Sequence, residues 1–420
     1  MAVSSPFVEQ EQIVGALWHG FADMGAVERD GAFVVARGEG AYIWDRAGTR
    51  YLDATAGLWF ANVGHGRSEI GDAVAAQLAK VAHYSNFGDL AAEPTVELAE
   101  RLATIAPVPG SKIFFTSGGS DSIDTAAKLT RRYWQELGRP EKTLVVSREK
   151  AYHGMHVGGT SLAGIPVNAE GYGDLWDDAA KVSWDDAKSL LALIERVGAD
   201  RIAAFFCEPI IGAGGVYLPP EGYLAEVRDI CREHDVLFVV DEVITGFGRI
   251  GGSWFASDRL GLEPDLMTTA KGLTSGYVPM GAVFVSPKVA EPFFAGGVWW
   301  RHGYTYGGHA GAAAAALANL DILERENLLA ESARLERTLH EKLSPLAEHP
   351  RVAEVRSGLG AVAAVQLADA SEALQFVKTL RQHGISSRAA GQGALQISPS
   401  FVMTDEQVQD LVDGFASALG

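Results

Sequence analysis

Three stretches of the 420-residue chain place reactive side chains directly after apolar runs. Ile113-Phe114-Phe115-Thr116 leads into Ser117-Gly118-Gly119-Ser120-Asp121, Val236 to Val240 into Asp241-Glu242, and Leu266 to Ala270 into Lys271-Gly272-Leu273. Ligands of open α/β sheets gather outside the carboxyl ends of the strands, so chemistry is expected at these positions. After the first run, Ile123, Ala126, Ala127, Thr130, Tyr133 and Trp134 mark one face of a helix. The turn before it offers exposed N–H groups, a positive dipole end and serine hydroxyls, which together make a seat for a phosphate. A carboxylate closing a buried strand, as at Asp241, demands a cation or a strong donor. Lysine at the end of a buried strand loses solvation, which lowers its pKa and frees the amine to attack carbonyl carbon.

Each stretch alone has a plain explanation: a tight turn with a helix cap, a turn-capping acid, a snorkelling lysine. Their conjunction at three ends of one sheet is what a phosphorylated pyridine aldehyde requires. The phosphate sits at the helix, the ring N–H stays protonated against Asp241, and the aldehyde condenses with Lys271. Tyr152-His153-Gly154, soon after the run ending at Ser147, adds an aromatic face that could stack on the ring or serve as an ordinary loop.

The elements that must position these groups follow from the apolar pattern. Short runs at 113–115, 143–147, 202–207, 236–240, 266–269 and 282–286 alternate with helices or loops, which predicts a mostly parallel sheet covered on both faces. Before them, Ile13, Leu17 and Phe21 predict a helix over 10–24, and Tyr42-Ile43-Trp44 and Tyr51-Leu52 flank Asp45-Arg46-Ala47-Gly48 as a hairpin would. Beyond Leu320 a long polar helix, runs at 352–356 and 362–367, a helix near 372–383, a run at 395–398 and a helix from Asp405 make a small α+β unit.

Composition bounds the function. The length predicts two or three packed units of roughly 150 residues each. With 47% hydrophobic and 21% charged residues the chain is neither disordered nor fibrous. A net charge of −18 argues against nucleic acid and anionic membrane surfaces as partners. Cys207 and Cys231 lie in apolar stretches, so no disulfide framework or thiolate metal site is expected, and a reducing cytoplasm fits. The first residues carry no leader pattern, and the alanine tract Ala310 to Ala318 is too short to span a bilayer.

The chain resembles the class III aminotransferases, pyridoxal-phosphate enzymes of fold type I. The likeness runs through Phe238-Val239-Val240-Asp241-Glu242-Val243-Ile244-Thr245-Gly246-Phe247-Gly248-Arg249 and Lys271-Gly272-Leu273-Thr274-Ser275-Gly276-Tyr277-Val278-Pro279-Met280-Gly281. Gly57-Leu58-Trp59, Glu208-Pro209-Ile210 and Arg301-His302-Gly303-Tyr304-Thr305-Tyr306-Gly307-Gly308-His309 are similar too. The resemblance implies a large domain with a mostly parallel seven-stranded sheet (61–320) and a small α+β domain built from segments 1–60 and 321–420.

It also implies roles. Lys271 would bond the cofactor aldehyde, Asp241 would pair with the ring nitrogen, and Val243 would lie under the ring with Tyr152 stacked on it. Gly118, Gly119 and Ser120 would hold the phosphate, with His153 and Glu208 also at the cofactor. Thr305 would reach the phosphate in the neighbouring subunit, making a homodimer with shared sites, or a homotetramer. Where many members have Ser-Gly-Ser-Glu, this chain has Gly118-Gly119-Ser120-Asp121, so backbone N–H groups replace one hydroxyl.

Within the family the chain is similar to the ω-amino acid and amine:pyruvate aminotransferases. Trp59, Phe87, Tyr152 and Ala213 would then line the substrate pocket. Arg388 would bind the keto acid's carboxylate and swing aside for an apolar amine, in a ping-pong exchange from amine donor to keto acid, with pyruvate expected. A 4-aminobutyrate/2-oxoglutarate aminotransferase or an aminomutase is the alternative within the family.

Readings from other classes are weaker. Gly246-Phe247-Gly248-Arg249-Ile250-Gly251 spells GxGxxG with Asp265 downstream, as in a nicotinamide dehydrogenase. Five residues separate it from the strand, however, and no convincing helix follows. His153 and His156 with Glu208 could suggest a zinc hydrolase, but they lack a helical frame and a ligand at fixed spacing. A non-catalytic protein of this fold would lack Lys271 or Asp241. No metal is expected.

Overall fold

The computed structural model describes residues 16–420. Its centre is a seven-stranded sheet in the order Lys112–Thr116, Gly281–Val285, Leu266–Thr269, Leu237–Asp241, Ile202–Cys207, Leu144–Arg148 and Ala179–Val182. Gly281–Val285 runs antiparallel to both neighbours, and the remaining pairs are parallel. The four strands at 202, 237, 266 and 281 are buried at every position, which is why they read as unbroken apolar runs. Successive side chains nevertheless part to opposite faces. Phe206 and Val239 pack with Trp134 of helix Gly119–Glu136, whereas Phe205 and Val240 pack under helices Lys188–Val197 and Tyr223–Glu233.

The strand that the apolar pattern leaves unmarked is Ala179–Val182. It is a half-buried edge, and its Ala-Ala-Lys-Val sequence carries almost no strand signal.

The ends of the chain combine. Val35–Glu39, Tyr42–Asp45 and Arg50–Asp53 form an antiparallel set that Ile385–Ser386 extends in parallel. Val352–Arg356, Ala363–Leu367, Ala394–Ile397 and Ala389–Ala390 form a second four-stranded sheet, with helices Ala373–Gln382 and Asp405–Leu419. The last helix opens on a capping box in which Thr404 and Gln407 satisfy each other's backbone. This is the fold type I arrangement: a large α/β domain and a small α+β domain made from both ends of the chain.

Two expectations need correction. Ile13 lies outside the described residues, and Leu17 and Phe21 are exposed and precede a helix that begins only at Met24. Asp23 accepts hydrogen bonds from the Gly25 and Ala26 N–H groups, so the helix starts where a cap exists. The long polar helix is two helices, Ala310–Arg325 and Leu328–Leu343, parted at Asn327 with φ 51°. Among the described residues no helix is long and apolar enough to cross a membrane.

Candidate active site

Asp241 ends its strand almost fully buried, and the donors its burial demands are present. Oδ2 lies 2.8 Å from His153 Nδ1, while Oδ1 accepts the Val243 N–H at 3.0 Å and the Thr268 hydroxyl at 3.2 Å. A carboxylate offers about four lone-pair sites, so Oδ2 keeps capacity for one more donor such as a ring N–H.

Lys271, on the adjacent strand end, opens the short turn Lys271–Leu273 with φ 40°. A left-handed backbone at a non-glycine residue costs about 1–3 kcal/mol and is found where the surroundings over-determine it. Burial lowers the pKa of the Lys271 ammonium to about 8, although Asp241 and Glu208 oppose the shift. The free amine is therefore accessible near neutral pH, which an ordinary lysine does not offer.

Both groups face a cavity of about 340 Å³, within the range of small-ligand sites, whose lining includes Ser117, Gly118, Gly119 and Ser120. Helix Gly119–Glu136 starts there with no side chain capping its first N–H groups. A Cβ on Gly119 would come within 2.9 Å of Val243 Cγ1, and one on Gly154 within 2.5 Å of Ser120 Oγ. The glycines thus keep open the space between helix end and ring face. Tyr152, His153 and Val243 line the same cavity. Glu208 accepts the Tyr152 N–H at 2.9 Å and the Gly212 N–H at 3.0 Å, which fixes the Tyr152 loop. Burial raises the pKa of the Glu208 carboxyl and His153 opposes the rise. An anion seat, a carboxylate with spare capacity, an apolar and aromatic sandwich and an available amine match pyridoxal phosphate group for group.

The rim is different. Trp59 is buried against Ile210, Val216 and Ile244, and its neighbour Phe60 reaches the lining instead. Ala213 is not part of the lining; its carbonyl accepts the Gly391 N–H at 3.0 Å. Phe87 and Thr305 are exposed and outside this chain's cavity; the Thr305 carbonyl meets His83 Nε2 at 2.8 Å. Arg388 is outside the lining but close enough that its charge opposes the burial-driven rise in the Tyr152 pKa and adds to the lowering at Lys271, and it makes no ion pair among the described residues. Phe60, Ile244 and Met280 also line the cavity. Sequence reasoning passed over all three, although Phe60 follows Trp59 and Ile244 and Met280 sit inside the two diagnostic stretches.

The rival motifs resolve as structure. Gly246 to Gly251 form buried turns with no helix start until Ala256, and Arg249 is fully buried with NH2 on Asn62 Oδ1 at 2.6 Å. His156 pairs with Asp121 at 2.6 Å, away from His153, and no group of three potential metal ligands occurs among the described residues.

Residues 24–419 match the model of the family described as aminotransferase class-III. The putrescine–pyruvate aminotransferase of Pseudomonas aeruginosa is 39% identical, over 93% of this chain and 91% of the relative. That organism's beta-alanine–pyruvate aminotransferase is 36% identical over 99% and 98%. A thermostable (S)-enantioselective omega-transaminase of Thermomicrobium roseum superposes with a TM-score of 0.92 at 38% identity, covering 96% of this chain and 95% of that one. The chain belongs to the class III aminotransferases and is a pyridoxal-phosphate-dependent aminotransferase.

Proposed function

We propose that this enzyme is an ω-transaminase that takes an amino group from an ω-amino acid or primary amine and gives it to a keto acid, pyruvate first, by a ping-pong mechanism. The observation that carries the reading is Arg388: a guanidinium without an ion-pair partner among the described residues lies within electrostatic reach of Tyr152 and Lys271, which line the cavity. A guanidinium fork pairs bidentately with a carboxylate, which suits a keto acid, and its long side chain can turn away when an uncharged amine enters. The relatives named for pyruvate support the acceptor.

Bound pyridoxal phosphate supplies a carbonyl carbon for amine exchange and a cationic ring that withdraws electrons. Asp241, held by His153 and Thr268, would present its carboxylate to the ring nitrogen. Lys271 would hold the cofactor at its carbonyl carbon, and its free Nζ would carry the proton away from the donor's amine-bearing carbon. Gly118, Gly119 and Ser120 would hold the phosphate through N–H groups and the helix end. Tyr152 and Val243 would hold the ring between them, and Glu208 orients the Tyr152 loop. Phe60, beside Trp59, and Ala213 border the donor's side chain.

The rim supports a homodimer with shared sites. Phe87 and Thr305 face outward together with Tyr84, Leu90 and Tyr306, an apolar surface of the kind an interface covers. In this arrangement Thr305 reaches the partner's phosphate and Phe87 the partner's substrate.

The test is a half-reaction panel. β-Alanine, 4-aminobutyrate, putrescine and an aryl-alkyl amine are added one at a time to purified holoenzyme while its visible band is followed. Pyruvate or 2-oxoglutarate is then supplied to restore the band. Bleaching by an ω-amine and recovery with pyruvate is expected; recovery with 2-oxoglutarate alone would overturn the acceptor.

A further inference from the structure

The alanine-rich helix Ala310–Arg325 has one polar side chain where its face meets the catalytic turn. Asn319 is fully buried. Its Nδ2 donates to the carbonyls of Gly272 at 2.9 Å and Leu273 at 3.0 Å, the two residues directly after Lys271. One amide carries two N–H donors, and both are spent on this turn. Its Oδ1 finds no partner among the described residues, so the amide sits in the core with half its capacity unused. The opposite orientation would set oxygen against two carbonyl oxygens, so the donor assignment stands on electrostatics.

The turn needs holding. Lys271 and Ser275 have φ of 40° and 48°, in a region that non-glycine residues leave when released. Asn62 presses from the other side, since a Cβ on Gly272 would lie 2.5 Å from Asn62 Nδ2. If the backbone at Lys271 relaxed to negative φ, the Cα–Cβ bond would swing, and a stem of four methylenes would carry Nζ off the line to the reacting carbon.

We propose that Asn319 is a positioning residue for transamination: its two hydrogen bonds to Gly272 and Leu273 hold the left-handed turn that aims the Lys271 amine. This rests on the reading of Lys271 as the cofactor-bonding and proton-carrying lysine.

Two isosteric variants test it. Asn319→Leu keeps the branched heavy-atom skeleton and removes both donors. Asn319→Asp keeps shape and offers one donor only while its carboxyl is protonated. Two rates are read: the single-turnover amine half-reaction of the holoenzyme, and the growth of the visible band when pyridoxal phosphate is added to apoenzyme. For Asn319→Leu both rates should fall by about 100-fold, the loss that a misplacement of order 1 Å produces, with the amine KM little changed. For Asn319→Asp the deficit should shrink as pH falls, a pH profile that general loosening of the core does not give. Should Asn319→Leu fail to fold, the pH profile of Asn319→Asp carries the test. Wild-type rates in a folded Asn319→Leu, or an Asn319→Asp deficit independent of pH, would overturn the proposal. Borohydride trapping in wild-type enzyme separates the two ideas: if the label is on Lys271 and the variants are normal, the Asn319 role alone fails. If the label is elsewhere, the underlying reading fails.

Discussion

The floor and the rim of the cavity are built on different terms. Asp241, Lys271 and Gly119 stand on neighbouring strand ends and one helix start of a single chain. Both Asp241 oxygens are partnered, and the lysine is locked in a strained turn. Phe87, Thr305 and Arg388 stand on loops and a short hairpin, exposed and without ion-pair partners among the described residues. In the proposed function, the amine chemistry falls to the buried, preassembled parts, where a misplacement of about 1 Å can cost 100-fold. Choice of substrate, in that proposed function, falls to the exposed groups, which can change without disturbing the core.

That contrast sets the order of expected effects. Lys271→Ala should abolish multiple turnover and remove the visible band of the holoenzyme, as checked by steady-state assay and spectrum. Asp241→Asn should retain the cofactor yet lose about 100-fold or more in kcat, because a neutral amide no longer stabilises a cationic ring. At the rim, Arg388→Ala should raise KM for the keto acid by about tenfold or more, the worth of a charge-assisted hydrogen bond, and leave the half-reaction with an uncharged amine near wild type. An equal loss in both half-reactions would break the division between floor and rim.

Two effects of pH sharpen the account of the floor. Lys271 titrates at about 8 rather than the ordinary 10.5, and only its free amine is nucleophilic. Capture of pyridoxal phosphate by apoenzyme should therefore accelerate as pH rises and level off above about 8; a midpoint at the ordinary lysine value would contradict the burial argument.

The smallest effect concerns Glu242, which is fully buried and accepts the Ala256 N–H at 2.8 Å and the Ser257 N–H at 2.6 Å. Burial raises its pKa from 4.5 to about 7, so between those values the folded chain holds a proton that the unfolded chain has released. Its stabilising contribution is complete below 4.5 and is lost as pH rises through 7. Relative to Glu242→Gln, the wild type should lose stability across that window in denaturant titrations.

The floor was legible in the sequence because a buried strand end is a demanding place for a charge. Asp241 and Lys271 stood out against the runs before them, and the small residues at 117–120 fitted only a turn onto a helix. The central strands were legible for a related reason: burial on both faces leaves no polar alternation. The edge strand at 179–182 lacks that burial, and so it lacked the signal. Phe60 was hidden beside the larger Trp59, and only the folded turn brings its ring to the cavity lining. Asn319 was hidden because a polar residue in an alanine tract says nothing until its neighbours in space are known. The separation of the two helices at Asn327 depended on one left-handed residue, which composition does not reveal.

The most direct test of the central claim is to reduce the holoenzyme with borohydride, digest it and locate the pyridoxyl group by mass spectrometry. A single modified peptide carrying the group on Lys271 is expected, with the label lost when an ω-amine is added first. A label on any other lysine, or no label in a preparation that turns over amines, would contradict it.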